Sequence, residues 1–205
     1  MVFFGRIPLK LPHGLPAYID PLQLAMKGIF KLAAFLCLFW GSCCTQATVF
    51  YSKEEAFELA FGKGAEITDH QVFLTDEQTS QVEQIAKTKL DSQLYTFFEA
   101  RRNGQVLGYA VIESHTVRTQ PETLLIALTP KGELMKSEIL AFHEPPEYKP
   151  SSAWFATLIG KPANDLRQNQ GVDGISGATL SVKASLEGIR KALAVFQVGM
   201  APTLK

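Results

Sequence analysis

Asn103-Gly104 stands between two runs rich in β-branched and aromatic residues, "SQLYTFFEARR" and "QVLGYAVIES". An Asn-Gly pair is the strongest short-range hairpin signal, because both central positions of a type I′ turn need positive φ. A chain committed to that hairpin builds antiparallel sheet. A second strand pair follows in "ETLLIALTPKGELMKSEILAF" (122–142), where Pro130 and Gly132 suit a type I turn.

Helices are expected on either side of these strands. "YSKEEAFELAFGKG" opens with Ser52 and Glu55 at capping-box spacing and places Phe57, Ala60 and Phe61 on one face. "LTDEQTSQVEQIAKTKL" has a capping start and an apolar trio at Val82, Ile85 and Ala86. The tail from Ala178 to Phe196 aligns Val182, Leu186, Ile189, Leu193 and Phe196 on one stripe, with Lys183, Glu187, Arg190 and Lys191 directed elsewhere. Grouped strands with helices before and after predict an α+β fold: an antiparallel β-sheet packed against helices, with the long C-terminal helix on one face. Residues 48–92 are expected to be a helical N-terminal segment.

Residues 1–47 read as a leader. Lys27 and Lys31 form a short basic region, Leu32 to Trp40 an apolar core, and "TQA" (Thr45 to Ala47) a small-residue cleavage site. The pattern fits better with a start at Met26, since the preceding 25 residues are proline-rich. Three fates remain open: a cleaved signal peptide, an uncleaved membrane anchor, or lipidation at Cys43. Each places the domain in an extracytoplasmic location, the periplasm or the outer face of the cytoplasmic membrane.

Charge and cysteine use narrow the function. Lys+Arg and Asp+Glu both number 20; four of the basic residues and one acid (Asp20) lie in 1–47, leaving 16 against 19, a net of −3. No nucleic acid partner is expected of such a domain. The three cysteines all precede residue 45, so the rest has no disulfide, thiolate metal site or cysteine nucleophile. Four scattered histidines lack the close spacing of a zinc site, and no metal is expected.

"GVDGISGATLSVKAS" (171–185) sets an acid, glycines and hydroxyls against the start of the C-terminal helix. Ser176 could simply cap that helix, with Gly174 and Gly177 loosening the approach. A glycine-rich helix start also presents unpaired N–H groups and a dipole that favours an anion. Thr179, three residues before Val182, is expected to head the apolar stripe and not face open solvent.

"DGISGATLS" (Asp173 to Ser181) resembles the flavinylation motif of the FMN-binding domain family, found in the covalently flavinylated subunits of sodium-pumping quinone reductase and Rnf complexes. The resemblance covers about 93–198 and implies covalent FMN joined through its phosphate to Thr179. It implies Asp173, Gly174, Ser176, Gly177, Ala178, Leu180 and Ser181 as surrounding cofactor-binding positions. The family's flavin transferase, magnesium-dependent and using FAD as donor, would be the maturation partner.

"LAFHEPPEYKPSSAWFATLIGK" (140–161) leaves the last strand through a proline-stiffened loop. The respiratory subunits carry a Glu-Thr-Pro-Gly loop beside the flavin here. This chain has Glu144-Pro145-Pro146-Glu147, closer in style to stand-alone exported FMN-binding proteins. His143, Glu144 and Tyr148 are therefore candidate flavin contacts, although His143 also reads as a satisfied strand-end histidine. Trp154 and Phe155 read as core. In "HTVRTQPETL" (115–124), Arg118 is either a solvated loop charge or a phosphate contact, and His115 is structural.

The implied function is an extracytoplasmic electron-transfer flavoprotein, a carrier between membrane or extracytoplasmic redox proteins, with no catalytic residues of its own. A reductase acting on a small acceptor and a redox-sensing or structural FMN-binding module are the alternatives from other classes.

Overall fold

A computed structural model describes residues 48–167 and 171–204. The expected leader lies outside the described residues. Among them, no helix is long and apolar enough to cross a membrane.

Ten elements build an α+β fold: β1 (Thr48–Val49), α1 (Lys53–Phe61), β2 (Glu66–Phe73), α2 (Asp76–Ala86), β3 (Leu94–Arg102), β4 (Gln105–Thr116), β5 (Pro121–Leu128), β6 (Leu134–Phe142), α3 (Ser152–Ala156) and α4 (Thr179–Val195). The strands form one antiparallel sheet in the order β1-β6-β5-β4-β3-β2. Both expected hairpins are present. Asn103 (φ 52°) and Gly104 (φ 79°) join β3 to β4, with Arg102 opposite Gln105. Between β5 and β6, Gly132 (φ 83°) donates its N–H to the Thr129 carbonyl at 2.9 Å. A Cβ on Gly132 would come within 2.4 Å of the Phe196 ring, so this turn must be bare where the C-terminal helix packs on it.

The two sheet faces are covered unequally. On one, α2, α3 and α4 bury Val182, Leu186, Ile189 and Phe196 against Phe97, Tyr109, Leu124, Ile126 and Ile139. That stripe is the one read from the sequence, and it continues through a wider turn at Phe196–Met200. On the other face α1 sets Phe57 and Phe61 onto Ala100, Ala110, Leu125, Ala127 and Leu140. Small strand residues admit the helix closely. At Gly108 a Cβ would lie 2.2 Å from the Leu128 carbonyl oxygen and 3.2 Å from the Phe61 ring.

Two expectations need correction. The segment 48–92 is not purely helical: residues 66–73 form the sheet's edge strand β2, paired with β3 from Glu66↔Arg101 to Phe73↔Leu94. Only Val72 of its eight residues is buried, so no apolar alternation marks it. Exposed charge along an edge also blunts edge-to-edge association. Arg190, expected to face away from the core, is buried. Its Nε donates to the Ala86 carbonyl and its Nη1 to the Leu166 carbonyl, both at 2.8 Å. It thereby satisfies the last carbonyl of α2, where Lys87 (φ 53°) turns the chain away.

Candidate functional site

Three segments meet at the start of α4. The loop 117–120 follows β4, the loop 143–148 follows β6, and Gly177 to Ser181 lead into the helix. Val117, Arg118, Glu144, Tyr148, Gly177, Ala178, Thr179, Leu180 and Ser181 line a cleft of about 230 Å³ between them.

The helix start differs from its expected form. Ser176 is not the cap; Ala178 is (φ −110°, ψ 23°), and no side chain bonds the first turn. Gly177 (φ 84°) reverses the chain after Ser176, and the Ala178 N–H closes that turn on the Ile175 carbonyl at 3.1 Å. The helix therefore begins two residues beyond the reach of the serine. The Ala178 carbonyl accepts the first helical bond from Val182. The first turn contains no acidic residue. Its leading N–H groups have no helical acceptor, and the helix dipole adds to their positive end.

Thr179 is exposed at the rim and does not head the apolar stripe, contrary to expectation. Its hydroxyl is open to a partner. Leu180 is 51% exposed beside it. Ser181, one residue on, is buried at the floor, and its Oγ has no hydrogen-bond partner. Ala178 is buried, whereas Asp173, Gly174 and Ser176 are exposed and stand outside the cleft lining.

The two other loops are fastened by one carboxylate. Glu144 Oε1 accepts from the backbone N–H groups of Thr119 (2.7 Å) and Gln120 (2.9 Å) and from the Thr119 hydroxyl (3.2 Å). The Thr119 N–H above all holds this carboxyl below its ordinary pKa, against the opposing effect of burial. Glu144 thus fixes the loop carrying Arg118, which is exposed at the cleft. His143 stands outside the lining. Its backbone N–H donates to the Pro121 carbonyl, and its Nδ1 lies 3.0 Å from the same oxygen, the arrangement of a satisfied strand-end histidine. Tyr148 ends a short 3₁₀ turn, Pro146–Tyr148, and lines the cleft while packing on the main core.

Sequence reasoning missed the anchors of the motif loop. Trp154 Nε1 donates to the Asp173 carbonyl at 3.0 Å, and Lys161 Nζ donates to the Gly171 carbonyl at 2.7 Å. Trp154 and Phe155 are both buried, as expected. No local pattern gives the indole a partner nineteen residues away.

A larger groove of about 700 Å³ lies on the α1 face. Glu54, Glu58 and Asp69 outnumber Lys53 in its lining, which opposes an anionic ligand. The smaller cleft sets Arg118 against one carboxylate, Glu144, whose Oε1 is engaged by the 119–120 backbone, and adds an uncapped helix start that favours an anion.

Residues 119–194 match the family model described as the FMN-binding domain. The match covers two of the three cleft segments and ends near the close of α4; it is shorter than the 93–198 expected from sequence. No curated protein matches the chain.

Proposed function

From the match of residues 119–194 to the FMN-binding domain model, we propose that the chain is an exported electron carrier holding FMN as a phosphoester on Thr179. The carrying observation is an exposed threonine hydroxyl at the first position of a helix with neither side-chain cap nor first-turn acid. The phosphate would lie against the N–H groups of Thr179, Leu180 and Ser181, where the dipole favours an anion by typically 0.3–1 kcal/mol at an exposed terminus. Arg118 supplies a permanent positive charge at the same cleft.

The flavin, when bound, supplies the one- or two-electron chemistry, and the protein supplies orientation and electrostatics. A cleft of about 230 Å³ is small beside the roughly 300–1,000 Å³ of a typical ligand pocket. It accommodates part of the cofactor and leaves the remainder accessible for exchange with a partner. Tyr148 and Leu180 offer apolar surface at its walls, while Glu144 keeps the loop of Arg118 in place.

Attachment needs help from outside. A neutral hydroxyl is a weak nucleophile without an adjacent base, and the nearest basic side chain in sequence, Lys183, is exposed one turn along the helix. A magnesium-dependent flavin transferase would supply the base. Thr179 Oγ would then form a P–O bond to the FMN phosphorus of FAD, its proton passing to that base, as the pyrophosphate bond breaks and AMP leaves. The exposed motif loop, with Asp173 at its head, is the surface presented to that enzyme. Export through the leader at residues 1–47 would place the carrier between membrane and extracytoplasmic redox proteins.

Co-expression with a flavin transferase, followed by intact mass measurement after denaturation, tests this reading. The parent chain should gain one FMN residue and become yellow. Thr179→Val should gain nothing, and Ser181→Ala should retain the gain. Undiminished covalent flavin on Thr179→Val would contradict it.

A further inference from the structure

Beneath the cleft floor, a polar seam runs between α4 and the sheet. Ser181 and Ser185 share one face of α4 at i, i+4 spacing, and both are buried. Ser185 Oγ donates to Glu122 Oε1 at 2.8 Å, and Glu122 is completely buried. His115, directly across from Glu122 in the β4–β5 register, brings Nε2 to 3.3 Å from the same oxygen without hydrogen-bond alignment. Glu122 Oε2, His115 Nδ1 and Ser181 Oγ are buried without partners. Buried groups of this kind are rare and costly, and a purely structural core would be more stable with apolar residues.

The surroundings leave this pair uncompensated. On β4, Glu113 is already engaged by Lys191 of α4. On the far side, His143 is engaged by the Pro121 carbonyl, and Glu144 by the 119–120 backbone. Lys183, between the two serines on α4, is exposed, Glu187 lies one turn further on, and Arg118 of the loop lines the cleft. Gly188 makes the space: a Cβ there would stand 3.0 Å from Glu113 Oε2 and 3.4 Å from His115 Cε1.

We propose that His115 and Glu122, linked toward the cleft by Ser185 and Ser181, form a proton-holding site that takes up a proton when the flavin on Thr179 is reduced. The inference rests on the flavin reading above. Full reduction brings two electrons from the donor. One proton goes to the isoalloxazine, and a second, taken from solvent, forms an N–H bond at the unprotonated ring nitrogen of His115. The imidazolium so formed pairs with the Glu122 carboxylate and balances the remaining negative charge of the reduced cofactor. Reoxidation releases both protons. Histidine suits the task because its charge changes between about pH 5 and 8.

The test is a spectroelectrochemical titration of the flavinylated chain across about pH 5–8, together with NMR of the His115 ring in both redox states. The parent potential should fall about twice as steeply with pH as that of His115→Gln or Glu122→Gln, two protons per two electrons against one. In the parent, His115 should titrate at least about one pH unit higher when the flavin is reduced, a tenfold gain in proton affinity. The NMR comparison needs no substitution and stands even if a variant fails to fold. A flavinylated parent whose His115 titrates identically in both states overturns the proposal alone, as do superimposed slopes from folded variants. A chain that leaves transferase co-expression without covalent flavin overturns the flavin reading, and this inference with it.

Discussion

α1 and α2 start as a stability-minded chain would start them, and α4 does not. At α1, the Ser52 N–H donates to Glu55 at 2.7 Å and the Glu55 N–H donates back to Ser52 at 3.1 Å. At α2, Thr75 and Gln78 make the same exchange at 3.0 and 3.2 Å. Both helices carry two acids in their first turn. α4, the longest helix among the described residues, has no side-chain cap and no acid there. The same chain closes α3 as well, where Ser151 accepts the Trp154 N–H at 3.2 Å, and leaves only α4 of the four open, although Ser176 stands three residues upstream of Thr179. Helix stability explains the three closed starts. The anion proposed above would explain the open one, because a cap or acid placed there would compete with it.

The comparison can be broken at α4 by giving it what α1 and α2 have. Leu180→Glu puts a carboxylate into the first turn at an exposed position. Covalent flavin gained in a short fixed reaction time should fall about two- to fivefold, equivalent to roughly 0.3–1 kcal/mol, while the flavin-free protein melts no lower than the parent. Leu180→Gln should keep its flavin. Equal yields, read from intact mass, would remove the electrostatic reason for the open helix start.

At α2 the complementary change is Thr75→Ala, which removes the hydroxyl accepting the Gln78 N–H. It should cost about 1 kcal/mol, or about 2–4 °C in Tm for a chain of this size, and leave flavin content unchanged. Thermal melts of the flavin-free and flavinylated forms check both halves.

Acid should loosen the cleft through Glu144. Its folded pKa lies below the ordinary value of 4.5, so its contribution is fully present above that value and is lost as pH falls through the folded pKa. Melting curves between neutral pH and about pH 3 should show a decline that Glu144→Gln lacks, the variant being less stable at neutral pH and converging on the parent in acid. Parallel curves would mean that the carboxylate does not fasten the 119–120 loop.

The smallest effect belongs to Ser176. Because it does not cap α4, Ser176→Ala should change stability by no more than about 0.5 kcal/mol. A loss as large as that of Thr75→Ala would restore Ser176 to the cap.

Most of the frame was legible because local chemistry specified it. Asn103-Gly104, the two capping boxes and the stripe from Val182 to Phe196 depend on residues within one turn or hairpin. β2 was hidden because an edge strand with charged Glu66 and Asp69 buries only Val72 and shows no alternation. Arg190 was misread because its partners, Ala86 and Leu166, come from other segments. The motif identified Thr179 as the attachment candidate, but its exposure follows from the Gly177 turn, which starts the helix two residues later than a Ser176 cap would. The contributions of Trp154 and the Glu122 seam depend on contacts across 19 and 63 residues. Spacing along the chain carries no trace of them.

The phosphoester at the open start of α4 is tested most directly by mapping the flavin to a peptide. Protein produced with a flavin transferase is denatured and cut with trypsin, and the peptide running from residue 168 to Lys183 is fragmented in a mass spectrometer. The account predicts one FMN residue on that peptide, with the fragment series assigning it to Thr179. Flavin released on denaturation, or carried by another peptide or by Ser181, would contradict it.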